Sequence, residues 1–479
     1  MADATTRSFS VETEVTPAHY PELLDYIQQK YIQPSAQRFS EVKRSTVDGD
    51  YTLDFSFLDP EGKWQVQVNV KTGKPVQVIM TPSQSDVPPS LLDRLKEDLI
   101  IVVQYFEEYV RRSTLYFAWV QGREVVPEKS PLRRARVIER IFFGNVLFLF
   151  VLIIAVSIIL VVTIGLVPTA IFIVISQLIT IAFSDRLIGT LSDWRITKEN
   201  PTVHILQYHL PAQERANFTQ KYPREKLLQM KKEIYDTTIA LGKPIEVEPC
   251  AQVMSKYGLS CSPDNMSTKT VNAYELVQKA TQKYGFNVPK IALSNTMIPN
   301  AAASGPTPSH GIVLITTGLL VQLDEAEILS VLGHEVSHLH ARDPFVLSGI
   351  VSSEYILRIF VLLPYLESFG VIFLYLYLVI ILGLIYFVAK FFEARADLES
   401  AIRIGNPKIL AEALRKIGFR RLQFERSPSY KIQDWITWDP HPPIYFRIER
   451  LEKLDAGKEI KHTLIQSAKD CVRGFFAAF

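Results

Sequence analysis

Two stretches of the 479-residue chain are apolar without the polar interruptions that mark an element lying on a soluble core. From Ile141 to Phe183 no residue is charged. One straight helix of that length would measure roughly 65 Å, about twice the hydrocarbon core of a bilayer, so the run must fold back, most simply at Gly165 to Pro168. The second stretch, Phe345 to Ala389, is interrupted around Pro364 to Glu367 and uncharged from Ser368 to Ala389. Its first half carries Glu354 and Arg358, an i,i+4 pair able to satisfy itself within a helix bundle. The pattern predicts about four transmembrane helices, as hairpins at 131–188 and 345–390.

Between and around these runs the periodicity is that of soluble protein. In residues 1–130, helical patterns from Tyr20 to Val42 and from Ser90 to Phe117 flank three alternating runs, YTLDFSFL, WQVQVNV and PVQVIM. The turn signals DPEG and KTGK separate them, which predicts a small soluble α+β module with a three-stranded antiparallel sheet. It holds no His/Cys cluster and no nucleophile pattern, so packing, binding or regulation is expected of it. Residues 189–344 form the first part of a second soluble region, with helices near Arg224 to Leu241 and Thr270 to Tyr284. There VPKIALSNTMIPNAAASG and HGIVLITTGLL read as two strands around a turn. Residues 391–479 continue as helices, broken by the loop ITWDPHPPIYFRIERLEKL.

Composition agrees with membrane spans: 48% of residues are hydrophobic and mean hydropathy is +0.11. Arg133, Arg134, Arg136 and Arg140 precede the first expected span, Arg186 and Arg195 follow the second, Arg342 precedes the third, and Lys390 and Arg395 follow the fourth. The opposite turns carry almost no charge, so the positive-inside rule assigns the soluble mass and both termini to the cytoplasmic side of a multi-pass protein of the cell membrane. The N-terminus MADATTRSFSVETEV has no apolar core, and no cleavable signal peptide is expected. Three cysteines with no CxxC fit free thiols in a reducing compartment. A net charge of +2 gives no pointer to nucleic acid, and none is expected as a partner.

The candidate chemistry lies in GHEVSHLHARD, residues 333–343. On a helix His334 and His338 fall within about 40° of each other, with Glu335 on the adjoining edge, so both imidazoles can reach one ion. Asp324 and Glu327 resemble a capping box, and Pro344 supplies a stop. Ile328, Leu332, Val336 and Leu339 gather on the opposite face and would anchor the helix in a core, while His340 points elsewhere. Two neutral imidazoles, a third protein ligand and an open position are what a catalytic zinc needs, with Glu335 placed to take a proton from water. A solvated polar face on an ordinary helix is the competing reading. Further on, in KFFEARADLESA, Glu393 and Asp397 share a helical face. They could supply a third ligand and a carboxylate behind it, but alone they read equally well as an exposed acidic face beside Arg395.

NAAASG, a strand, TTGLL, GHEVSHLHARD, two spans, EARAD and HPPIYFRIERL together resemble, in order, the zinc metallopeptidases that include the HtpX heat-shock protease and the type I CAAX prenyl protease. The resemblance covers roughly residues 140–455. It implies a mainly α-helical integral membrane metallopeptidase of gluzincin type, its core carrying a small β element, joined to the N-terminal soluble α+β domain. One Zn2+ per chain is implied, with His334, His338 and Glu393 as ligands, Glu335 as general base and acid, and Asp397 as a partner behind the ligands. It further implies that His441 and Arg447 stabilise the oxyanion or the glutamate ligand, and that Asn300, Ala301, Ala302 and Ala303 pair with an extended substrate backbone. The implied activity is endopeptidase cleavage of polypeptides at the cytoplasmic face, acting on membrane proteins in quality control. Alternatives are trimming of prenylated C-termini, and an inactive membrane adaptor that binds partners through the N-terminal module. The CAAX proteases have more spans than are found here, and the leading 130 residues lie outside the shared core, so the general HtpX-like branch fits better. Nothing in the sequence bears on homo-oligomerisation.

Overall fold

The computed structural model describes residues 6–47, 50–59, 63–84, 87–126, 146–215, 217–362, 365, 370–425, 427–454 and 460–479. The arginines at 133, 134, 136 and 140 and most of the expected break at 364–367 lie outside the described residues. The chain divides into two compact units, Met1–Phe117 with Ile205–Lys269, and Ala118–His204 with Thr270–Phe479. The return of 205–269 to the first unit is not visible in the linear order of motifs.

The first unit holds a five-stranded antiparallel sheet in which β1 (Arg7–Val11), β2 (Phe39–Val47), β3 (Asp50–Leu58), β4 (Gln65–Lys71) and β5 (Val76–Pro82) are ordered β1-β5-β4-β3-β2. Alternation makes the core face: Val66, Val68 and Val70 of β4 and Val76, Val78 and Met80 of β5 are buried. The helix Pro89–Arg111 joins that core through Leu92, Leu95, Leu99, Val103, Phe106 and Val110, spaced by three and four. The expected three strands are present with two more at the edges. The helical pattern assigned up to Val42 gives way at Phe39, because FSEVKRSTV pairs with β3, setting Phe39 against Phe57 and Thr46 against Tyr51. Likewise the helix expected to reach Phe117 stops at Arg111, and TLYFAWV forms β6 (Thr114–Val120), a β-branched and aromatic run with six of seven residues buried.

In the second unit, the apolar helices Val146–Ile164 and Leu166–Ala182 are separated by Gly165, whose φ of +90° breaks the helix where the fold-back was expected. Among the described residues two helices are long and apolar enough to cross a membrane, Asp343–Leu362 and Tyr375–Arg403. Leu166–Ala182 with Ser184–Thr190, bent by 63°, makes a third if counted as one span. Glu354 and Arg358 do satisfy each other at 2.8 Å, and Tyr377 Oη donates to the same carboxylate.

The short strand β7 (Trp194–Ile196) opens this unit's sheet. β8 (Thr202–His209) and β9 (Met266–Asn272) form with β6 a three-stranded sheet of order β6-β8-β9. β10 (Lys290–Ser294), β11 (Ala301–Ser304) and β12 (Ile312–Thr316) complete the order β11-β12-β10-β7, which leaves β11 at an edge. The histidine helix, Glu325–Ala341, follows, and the capping box forms: Glu327 N donates to Asp324 Oδ1 at 2.8 Å, and Asp324 N to Glu327 Oε2 at 2.9 Å. Pro344 does not simply stop this helix. Arg342 turns the chain in the left-handed region, φ 58°, and Pro344 sits in the first turn of the next helix, Asp343–Leu357.

Gly333 sets how closely the histidine helix meets the long helix Val371–Arg403. A Cβ there would lie 2.4 Å from Ile404 Cγ1 and 2.8 Å from Ser400 Oγ. Alanine gains about 1 kcal/mol of helix propensity, while overpacking of such a contact costs typically about 1–3 kcal/mol. Gly333→Ala is therefore expected to lower the melting temperature and weaken metal binding, measured by thermal unfolding and metal titration of the same preparation.

In the first unit His209 is buried, its Nδ1 is 2.8 Å from Thr114 Oγ1, and its ring faces His19 at 5.3 Å. Burial, with His19, Lys74 and Arg215 nearby, pushes its pKa down to about 3. The unfolded chain takes up that proton near pH 6.5, so the stability from a neutral His209 is fully present above about pH 6.5 and is lost as pH falls toward 3. Hydrogen exchange of the first unit is expected to speed up over that window, and His209→Gln to flatten the dependence.

Candidate metal centre

The histidine helix buries Ile328, Leu332, Val336 and Leu339. That fixes its rotation and turns His334, Glu335 and His338 toward the long helix Val371–Arg403. There Glu393 meets the histidine pair. His334 Nε2 and His338 Nε2 are 3.2 Å apart, His334 Nε2 is 3.3 Å from Glu393 Oε2, and His338 Nε2 is 3.3 Å from Glu393 Oε1. A tetrahedral ion bound at about 2.0–2.1 Å requires neighbouring ligand atoms about 3.3 Å apart. The two imidazole nitrogens stand near that spacing from each other, and each does so from one oxygen of Glu393. Glu393 Oε2, nearly buried, has no hydrogen bond from any described group, which is the condition of a carboxylate oxygen suited to a cation. The donor set and its geometry fit a divalent metal.

Each imidazole is backed by a carboxylate, and each carboxylate by an arginine. His334 Nδ1 is 2.9 Å from Asp397 Oδ1, although off the ideal N–H line, and Asp397 takes Arg447 in both its oxygens at 2.7 and 2.8 Å. On the other side His338 Nδ1 is 2.7 Å from Asp343 Oδ2, which accepts from Arg395 Nη2 at 2.5 Å. Such acceptors hold the proton on Nδ1 and leave the Nε2 lone pair facing the shared centre. His340 stands apart, stacked near Tyr284 and Phe286.

Glu335 is half-buried, and burial pushes its pKa above the usual carboxylate range against the pull of His334 and His338. A carboxyl so placed holds a proton more readily than an ordinary exposed glutamate does. Burial also works against charge on His338, but Glu393 and Asp343 outweigh it and push its pKa up to about 10. Protons therefore compete with a cation for this site.

At the open side His441 Nε2 is 3.5 Å from Glu393 Oε2, and 45% of the His441 side chain is exposed. Asp439 Oδ1 accepts from His441 N at 2.8 Å and lies 2.9 Å from its Nδ1. Arg421 holds the other oxygen of Asp439 at 2.6 Å, and Lys390 donates to the carbonyls of Thr437 and Asp439. Arg447 is not at the open side. It lies buried behind Asp397 on the helix Ile444–Glu452, whose first amides, Ile444 N and Tyr445 N, donate to Glu425. Ala301–Ser304 form the edge strand, half-buried, while Asn300 precedes it and closes a pair of hydrogen bonds with Thr316.

Sequence reasoning missed Asp343, Arg395, Asp439, Arg421 and Lys390. HARDP and WDPH held the two aspartates in plain view, but neither stands at a helical interval from the histidine it supports.

Residues 268–455 match the family model described as Peptidase family M48. The chain is 45% identical over 80 residues to a protease HtpX homolog of Campylobacter concisus, 17% of this chain and 27% of the relative. It is 32% identical over 210 residues to the protease HtpX homolog of Methanocaldococcus jannaschii, 37% of this chain and 73% of the relative. The corresponding protein of Desulforapulum autotrophicum is 30% identical over 210 residues, 37% of this chain and 67% of the relative. Apolar helices, a His/His/Glu cluster and these likenesses together define a membrane metallopeptidase. The chain belongs to peptidase family M48, among its HtpX-like members.

Replacing Asp343 by asparagine is expected to weaken metal binding about 10- to 100-fold, with His340→Ala unchanged, as read by competition with a chromogenic chelator. Because uptake displaces protons from the imidazoles, affinity is expected to fall as pH falls, and calorimetry in buffers of different ionisation enthalpy will report proton release.

Proposed function

We propose that this protein is an integral membrane zinc metalloendopeptidase of gluzincin type, cleaving polypeptides at the cytoplasmic face in membrane protein quality control. The observation that carries the reading is the cluster of His334, His338 and Glu393, in which the two imidazole Nε2 atoms are 3.2 Å apart and each lies 3.3 Å from one oxygen of Glu393. His334, His338 and Glu393 would hold the zinc. When bound, zinc supplies Lewis acidity toward a peptide carbonyl and acidifies a water. Glu335 would take a proton from the attacking water and pass it to the leaving amine, a role supported by the upward shift of its pKa. His441, steadied by Asp439, offers an N–H to the oxygen that gains charge. Arg447 acts through Asp397, neutralising the carboxylate that orients His334. Ala301, Ala302 and Ala303, following Asn300, offer a strand edge to an extended substrate.

Four crossings lie near 146–164, 166–182, 343–362 and 371–389, and the peptidase core is drawn from 189–344 and 391–479, of which 205–269 groups with the N-terminal module. Arg186, Arg195, Arg342, Lys390 and Arg395 support a cytoplasmic core. A site beside the membrane suits membrane-protein substrates, for Glu393 is one helical turn beyond Lys390, where the apolar stretch ends.

Zinc content and casein cleavage, measured together on detergent-purified wild type and Glu335→Gln, test the reading. One zinc per chain in both is expected, with turnover lost about 10²- to 10⁴-fold in Glu335→Gln. Equal cleavage by the two proteins would falsify the assignment of Glu335.

A further inference from the structure

The helix Thr463–Ala477 lies along the long helix Val371–Arg403 in a constant antiparallel register. Thr463 Oγ1 donates to Glu399, Cys471 Sγ to the carbonyl of Lys390 at 3.7 Å, and the Phe475 ring meets Phe387 at 5.5 Å. Gly474 lets this helix approach Phe446 of the helix Ile444–Glu452 and Trp435 of the helix Pro428–Ile436, where a Cβ would lie 2.6 and 2.9 Å away. Any side chain there would push the helix off those two rings.

The register has a consequence for depth. Lys390 is the first charged residue after the apolar stretch, so it marks where the long helix leaves the hydrocarbon. Phe475 is already level with Phe387, inside that mark. One turn further, Phe479 lies roughly 10 Å past Lys390 toward the apolar part, at 1.5 Å per residue. Phe476 and Phe479 are 69% and 73% exposed, although Phe479 packs on Phe475 from the protein side. Ile436, 57% exposed, follows Trp435, whose ring lies 6.4 Å from Phe387, so it stands at the same depth. On the long helix Leu384, near the level of Phe479, and Ile380, one turn deeper, are 54% and 55% exposed. Exposed apolar side chains thus stand past Lys390 on both the long helix and its neighbour. Nearer the helix start, the exposed residues include Lys469 and Arg473, beside the apolar Leu464, Ile465 and Val472.

We infer that the last turn of the helix Thr463–Ala477, with Ile436, is immersed in the bilayer at the boundary of headgroups and acyl chains. Phe476 and Phe479 contact lipid, and Lys469 and Arg473 stand at phosphate level. A depth of about 5–10 Å is that of interfacial amphipathic helices. The occupant of this face is lipid, because the face continues the surface that the long helix presents to the membrane. Trp435 joins this collar to the Thr437–His441 loop, so the collar also sets the height of His441 above the bilayer. A substrate would then be engaged where it leaves the membrane. The inference rests on the reading of Val371–Ala389 as a span.

The test is nitroxide accessibility in full-length protein reconstituted into phosphatidylcholine/phosphatidylglycerol nanodiscs. Labels are placed singly at Phe479→Cys, Phe476→Cys, Leu384→Cys and Leu464→Cys, with unlabelled-position signal from wild type subtracted and metal binding used as the check of folding. Labels at 476, 479 and 384 are expected to be accessible to oxygen and shielded from a water-soluble nickel chelate, with 464 the reverse. If 476 and 479 behave like 464 while 384 stays shielded, the collar is wrong and the span stands. Exposure of 384 to nickel removes the span and the collar with it. Shielding of 476 and 479 from both probes would mean protein covers them, and would overturn lipid as the occupant.

Discussion

The carboxylate of Asp397 is the contact on which the site depends. It comes from the long helix, receives Arg447 from the helix Ile444–Glu452, and faces His334 on the histidine helix, so three elements distant in sequence meet at one fully buried group. Burying a carboxylate and a guanidinium gains little net stability over an apolar packing of the same volume, whereas removing one partner leaves an unpaired buried charge, at a cost of about 3–5 kcal/mol. The pair therefore selects an arrangement more than it strengthens the fold. A shift of the long helix away from the helix Ile444–Glu452 would separate Asp397 from Arg447 and be penalised, and a shift away from the histidine helix would take both Asp397 and Glu393 from His334. Gly333, by allowing close approach, and Ser400 Oγ, by donating to the Ser330 carbonyl at 2.7 Å, keep the helices at the distance the charges require.

A second constraint comes from chain direction. The histidine helix leads through Arg342 into the apolar helix from Asp343, and the long helix carries its own apolar stretch into Glu393. Both elements that supply donor atoms are thus continuous with segments suited to lipid. Arg342 adopts a left-handed conformation uncommon for a residue with a side chain, and that turn swings Asp343 back to His338. Had the helix simply continued, the next apolar segment would have started without delivering this carboxylate.

These two constraints explain what the sequence discloses. His334, His338 and Glu335 are legible because helical periodicity converts a spacing of four into a shared face, and the apolar residues opposite fix which way it points. Glu393 and Asp397 obey the same rule, yet an exposed acidic face obeys it too. Their meaning needed either the resemblance or the partners Arg447 and His334, which tertiary structure supplies. Asp343 and Asp439 could not be found by periodicity at all, since one acts across a left-handed turn and the other within a loop. Arg447, known in the sequence only through the resemblance, is buried where Asp397 neutralises it. In the first unit, alternation located β3, β4 and β5. The edge strands β1 and β2 are half exposed, so their apolar alternation is weak, and pairing rather than burial makes them strands.

The centre also divides labour between two glutamates of the same chemical type. Glu393 is faced by the Nε2 atoms of His334, His338 and His441, all within 3.5 Å, an environment that suits a permanently anionic ligand. Glu335 is one residue from His334 on the same helix but on the neighbouring edge, where burial raises its pKa and, among the described residues, no cation is hydrogen-bonded to it. A group that must exchange a proton in each turnover needs that second environment, and a metal ligand needs the first. The chemistry proposed for this protein is therefore a property of where two helices place their carboxylates, not of the carboxylates themselves.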